Sequence, residues 1–121
     1  MERLKTITVS GKEIISIDYS GLKPDAMIEL FNETKKLVVS NNKECLLLAN
    51  FGKTFITPQF VRHAEREMPP LKHLIKKNAF INLSSPQRMI LKGFRLFIGS
   101  ENYVAFDHYD EAIAYLISEH D

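Results

Sequence analysis

All five prolines of this 121-residue chain stand at the edge of a helical pattern, and short apolar runs lie between them. Pro24 with Asp25, Thr57 with Pro58, and Ser85 with Pro86 each open a helix, since proline has its φ pre-set for the first turn and lacks only an N–H that this turn does not use. Pro69-Pro70 closes the second of these helices. Helix starts that recur between apolar runs confine the fold sharply, because strands separated by helices pair in parallel through right-handed crossovers.

Periodicity fills in the elements. Leu4, Thr6 and Thr8 alternate with Lys5, Ile7 and Val9, and Ser10-Gly11-Lys12 turns this run into the Ile-rich segment Glu13 to Tyr19, which predicts an antiparallel hairpin. The helix opened by Pro24 carries Met27, Leu30, Phe31, Thr34, Leu37 and Val38 at helical spacing and ends at Asn41-Asn42. Glu44 to Asn50 is a compact apolar run suited to a strand covered on both faces. Thr57 caps a helix that turns Phe60, Val61, Ala64 and Met68 inward. Leu71 to Lys77 reads as a short basic helical turn, Asn78 to Leu83 as a central strand, Pro86 to about Ile98 as a helix, and Tyr103 to Phe106 as a short strand. Asp107 is the expected cap of a last helix that buries Tyr109, Ala112, Ile113, Leu116 and Ile117.

The order ββαβαβαβα predicts one α/β domain over residues 1–121, with a mostly parallel five-stranded sheet, an antiparallel N-terminal hairpin at its edge, and flanking helices. In such sheets ligands favour the crevice beyond the carboxyl ends of the strands. That crevice would be built here by Ser20 to Lys23, Asn50 to Thr57, Ser84 to Arg88, and Asp107-His108.

Charge is unevenly placed. Residues 1–50 hold seven Lys/Arg against seven Asp/Glu, residues 51–100 nine against two, and residues 101–121 none against six. Either the acidic tail packs beside the basic middle or the middle faces an anion. Cys45 is the only cysteine, so no intramolecular disulfide forms, and its apolar neighbours mark a buried, inert thiol. The N-terminal residues hold no secretory-type apolar stretch and no run approaches a bilayer span, so a cytoplasmic protein without a transmembrane segment is expected.

Three segments together carry a resemblance: Ile17-Asp18-Tyr19-Ser20-Gly21-Leu22, Asn78-Ala79-Phe80-Ile81-Asn82-Leu83, and the ending Phe106-Asp107-His108-Tyr109-Asp110-Glu111-Ala112-Ile113-Ala114-Tyr115-Leu116. In order and spacing, over nearly the whole chain, they resemble the STAS-like (SpoIIAA-like) bacterial family. The resemblance implies a β-α superhelix related to anti-sigma-factor antagonists and, more distantly, to lipid-carrying Sec14-type domains. Those antagonists carry a phosphorylatable serine in an Asp-Ser-Ser-Gly-like stretch after a central strand. This chain has Asn50-Phe51-Gly52-Lys53-Thr54-Phe55-Ile56-Thr57-Pro58 there, so the phosphoswitch is not transferred, and Thr57 before Pro58 is read as a cap.

Catalytic motifs are thin. Gly52-Lys53-Thr54 follows a strand, yet a nucleotide loop needs a glycine where Leu47 stands, and the helix starts near Pro58 instead of at the lysine. Asn50 occupies the position where a phospho-acceptor domain would need a carboxylate. His63 and Glu67 sit four apart on one helical face, which reads as a solvated pair without a third metal ligand. His73, His108 and His120 are isolated, although Asp107-His108 lies near the expected crevice. No cofactor or metal is implied, and the chain is read as a non-enzyme.

The helix after Ser84 holds the strongest binding signal. Arg88, Lys92 and Arg95 form one stripe, Ile90, Leu91, Phe94, Phe97 and Ile98 lie opposite, and Met89 and Leu96 flank the stripe. Ser84 and Ser85 at the helix start are placed to hold an anion. Candidate ligand- or partner-binding residues are therefore Asn50, Lys53, Ser84, Ser85, Arg88, Lys92, Arg95 and His108. Nucleic acid is not expected, because the basic residues are not interleaved with an aromatic platform. The leading expectation is a regulatory or protein-interaction module of STAS-like type, with a homodimer or another protein as partner. The alternatives are a carrier of a small anionic or lipid-like ligand and, third, an enzyme using the Asp107-His108 corner. A continuous apolar cavity would mark the carrier, and a closed core with an exposed Met89/Leu96 patch would mark the interaction module.

Overall fold

The chain opens with two strands, β1 (Leu4–Val9) and β2 (Lys12–Asp18), joined by a two-residue turn. Ser10 and Gly11 both have positive φ, 51° and 79°, as the tightest hairpin turns require. The computed structural model describes residues 2–119, so His120 lies outside the described residues. The remaining elements are α1 (Pro24–Asn41), β3 (Cys45–Asn50), α2 (Pro58–Glu67), a 3-10 turn (Pro69–Leu74), β4 (Ile75–Ile81), α3 (Ser85–Ile98), β5 (Tyr103–Phe106) and α4 (Tyr109–Ile117). Asn42 caps α1 in the left-handed region at φ 50°.

The five strands lie in the order β1-β2-β3-β4-β5; β1 pairs antiparallel with β2 and every other pair is parallel. The predicted α/β class, edge hairpin and mostly parallel sheet are thus present. Because strand order never reverses, the sheet has no switch point at which neighbouring crossovers part to opposite faces. The loops beyond the carboxyl ends are instead laced together: the Gly21 N–H donates to the Gly52 carbonyl at 3.0 Å, and Asn82 Nδ2 donates to Asn50 Oδ1 at 3.0 Å. These bonds tie the loops after β2, β3 and β4 to one another across the expected crevice.

The two faces of the sheet are filled differently. One row across the sheet, Ile15–Leu47–Asn78–Tyr103, and the next, Ile17–Ala49–Phe80–Ala105, face α1, α2, α3 and the 3-10 turn. Ile14, Leu48, Ala79 and Ile81 face the other way, against Ala112 and Leu116 of α4.

Several boundaries and faces differ from expectation. The strand predicted from Asn78 starts at Ile75, since the pairing of β3 with β4 skips one residue: Cys45 faces Ile75 and Leu46 faces Lys77. This bulge turns Ile75 to one face and Lys77 to the other. Lys77 is 1% exposed, and its Nζ donates to the carbonyls of Tyr115 at 2.9 Å and Ser118 at 3.0 Å while lying 5.0 Å from the Tyr115 ring centre. A lysine in a strand therefore fastens the carbonyl end of α4, where a cation is favoured. Asp107 is not the cap of α4: His108 holds that position without a side-chain bond, and Asp107 instead accepts from Arg88 at 2.5 Å. Tyr109 and Phe97, both expected inward, are 50% and 58% exposed.

Candidate functional site

The aromatic side chains gather on the α1–α3 face. Tyr19 stacks on Phe51 at 4.7 Å, Phe60 meets Phe31, Tyr19 and Phe51 edge-on, and Phe80 and Phe94 lie against Tyr103. The α2 backbone runs closest to α1, α3 and the 3-10 turn. A cavity of about 100 Å³ lies beneath it, between the sheet and α1–α3.

Its wall is almost wholly carbon: Leu47 and Ala49 from the sheet, Phe60 and Ala64 from α2, and Leu91 and Phe94 from α3 are among the lining residues. The polar lining residues are few. Thr34 lies within hydrogen-bonding reach of the buried Tyr19 hydroxyl, and the Thr34 hydroxyl itself donates to the Leu30 carbonyl at 2.9 Å. Asn78 and Tyr103, register partners on β4 and β5, also line the cavity, and Asn78 Oδ1 and Tyr103 Oη are buried without a hydrogen-bond partner among the described residues. Such an orphaned group costs about 1–3 kcal/mol. Burial pushes the Tyr103 hydroxyl up to about 12 and raises that of Tyr19 still further, so both stay neutral donors at ordinary pH.

Lining residues that keep some exposure, Lys35 on α1, Val61 on α2 and Ile90 on α3, place the rim along the flanks of α2. A polar clasp closes one flank. Lys35 Nζ bonds Glu67, and His63 Nε2 lies 2.7 Å from Asn32 Oδ1. The Arg66 guanidinium lies 3.0 Å from His63 Nδ1. Since a guanidinium can only donate, Nδ1 accepts and Nε2 carries the proton to Asn32. His63 and Glu67 are therefore not a solvated pair; they join α2 to α1. Lys35 and, after it, Arg66 hold the Glu67 carboxyl below its usual range. On the other flank, Gln87 Nε2 donates to the Thr54 carbonyl at 2.7 Å, tying the β3–α2 loop to α3.

The predicted site residues do not converge on this cavity. Asn50 accepts from Gly52 N–H and Asn82, and Lys53 is exposed in the turn after β3. Ser84, not Ser85, caps α3: its hydroxyl accepts from Gln87 N–H while Gln87 Oε1 accepts from Ser84 N–H. This reciprocal box uses donors that an anion would need, so the helix start is closed by its own side chains. Arg88 is taken by Asp107. Lys92 and Arg95 form no ion pair among the described residues, and His108 stands exposed at the start of α4. Acidic tail and basic middle meet at Arg88–Asp107, so part of the charge asymmetry is internal.

Cys45 is buried, its Sγ lies 3.3 Å from the Lys43 carbonyl, and burial raises its pKa, all in keeping with a structural thiol. Among the described residues no three His, Cys, Asp or Glu side chains gather as a metal site, and no helix is long and apolar enough to cross a membrane. Comparison with family models, with curated proteins and with solved structures returned no match.

Sequence reasoning missed the cavity. Its signal was present in the aromatic residues Tyr19, Phe31, Phe51, Phe60, Phe80, Phe94 and Tyr103 on inward faces, together with two polar residues, Asn78 and Tyr103, in otherwise apolar strands.

Proposed function

We propose that this protein is a non-enzymatic binding module whose site is the cavity beneath α2, and that its ligand is small, neutral and mainly apolar. The observation that carries the reading is the cavity itself, walled by carbon, with the unpartnered Asn78 and Tyr103 among its lining residues. An apolar cavity of about 150 Å³ stays dry and takes benzene. A void of about 100 Å³ therefore suits a single ring or a short hydrocarbon and is too small for a whole two-chain lipid. No charged side chain stands deep in the wall to offset an anion, and an unpaired buried charge is costly. This reading takes up the sequence alternative of a carrier for a small anionic or lipid-like ligand in place of the leading interaction module, and it favours an uncharged ligand with a hydrogen-bonding group over an anionic one. The STAS-like resemblance, with its distant link to ligand-carrying domains, agrees with this reading.

Thermal melting in the presence of phenol, benzyl alcohol and benzoate tests it. A ligand that binds only the folded state raises the melting temperature. The neutral compounds should do so and benzoate should not, and Ala64→Leu, which fills the void from α2, should abolish the effect. A melting temperature unmoved by either neutral compound, or a shift that persists in Ala64→Leu, would falsify the proposal.

A further inference from the structure

Among the described residues, three of the six large hydrophobic side chains that stand exposed belong to α3: Met89, Leu96 and Phe97 are 76%, 78% and 58% exposed. The helix has two apolar sides. Ile90, Leu91 and Phe94 line the cavity, and Leu91 and Ile98 are buried. Met89 and Leu96 lie two turns apart on the opposite side, with exposed Gly93 between them and Phe97 beside it. No described residue covers them.

Cations border the same ridge. Lys92 is exposed one turn from both Met89 and Leu96. Lys72 Nζ reaches the carbonyls of Ile98 and Gly99 at 3.0 and 3.3 Å, which puts a further cation at the end of α3. Lys72, Lys92, Arg95 and Leu96 share one surface groove, which Ser100 and Glu101 close. Arg95 Nε is buried there without a hydrogen-bond partner among the described residues. Glu101 is the one carboxylate of the groove; Arg88, neutralised by Asp107, is not counted among its cations.

We propose that this face of α3 docks on an anionic lipid bilayer. Protruding apolar side chains enter the acyl boundary while lysine and arginine reach back to the phosphates, so a single surface satisfies both halves of the patch. A second copy fits poorly, because it would present the same excess of cations and no complementary charge. A rigid protein would need a groove for the ridge and acidic groups along one side of it. The inference stands independently of the cavity's ligand.

The chain contains no tryptophan, so Phe97→Trp introduces a single indole at the proposed contact. With vesicles of phosphatidylcholine mixed with phosphatidylglycerol, its emission should shift to the blue, and brominated acyl chains should quench it. Phosphatidylcholine alone should leave it unchanged. In co-sedimentation of the full chain, Leu96→Glu and Lys92→Glu, both at exposed positions that leave the melting temperature in place, should each weaken binding roughly tenfold, and salt should weaken it further. Absence of the blue shift on anionic vesicles, equal binding to neutral ones, or wild-type sedimentation of Leu96→Glu overturns the proposal. So does binding to an acidic protein without binding to vesicles.

Discussion

The two faces of the sheet differ in the kinds of residue they bury and in how those residues pack. On the α4 face small and aliphatic side chains meet: Ala79 and Ala112 are fully buried, Leu48 and Leu116 nearly so, and the helix end is fastened by Lys77. On the α1–α3 face aromatic rings meet edge-on and leave the cavity beneath α2. Small side chains let the α4 backbone lie close against β3 and β4, whereas bulkier rings stand between the strands and the helices of the other face. Open space lies on the face where rings meet.

The largest effect that tests this contrast is on the closed face. Leu116→Ala should cost about 3 kcal/mol, because the deleted atoms leave a new void in a packed layer. Denaturant unfolding measures it, and a loss below ~1 kcal/mol would mean that the α4 face is itself loose. A sharper comparison puts one substitution on each side. Ala112→Leu should destabilise by about 2 kcal/mol through overpacking, while Ala64→Leu, pointing into existing space, should change stability by less than ~0.5 kcal/mol. Equal costs for the two variants would remove the distinction between the faces.

Helix starts give a smaller contrast. Ser84→Ala on the cavity side removes a two-way capping box and should cost about 1 kcal/mol, whereas His108→Ala at the start of α4 removes no capping bond and should leave the denaturation midpoint in place. The smallest effect is electrostatic and belongs to the clasp at the rim. Glu67 is held below its ordinary value of 4.5 in the folded chain, with Lys35 the first cause. In that range the unfolded chain binds more protons, so the clasp's contribution is complete above about pH 4.5 and is lost as pH falls through the lowered folded value. Glu67→Gln should flatten this part of the stability–pH curve. An unchanged slope would show that the clasp does not hold α2 in solution.

Local chemistry made the elements legible in the sequence. Proline can start helices at 24, 58 and 86 and little else at such spacing, Ser10-Gly11 admits a tight turn, and period-two and period-3.6 apolar patterns each suit one kind of element. From these come the hairpin, the order of strands and helices, and the parallel sheet. Lys76-Lys77 was unreadable as strand because a lysine carries no sign of the carbonyls it will meet, and only the bulge in β4 turns Lys77 toward α4. Asp107 satisfies the rules for a cap, yet Arg88, nineteen residues earlier, competes for its carboxylate and takes it. Phe97 fits an inward stripe by spacing and is left outside because the buried stripe of α3 centres on Gln87, Leu91 and Ile98. The sequence by itself determined which segments are strands and helices and the order in which they follow, since those depend on residues a few places apart. The tertiary structure alone decided the cavity, the clasp across its rim and the exposed face of α3, because each depends on how far apart packed side chains from distant segments hold their backbones.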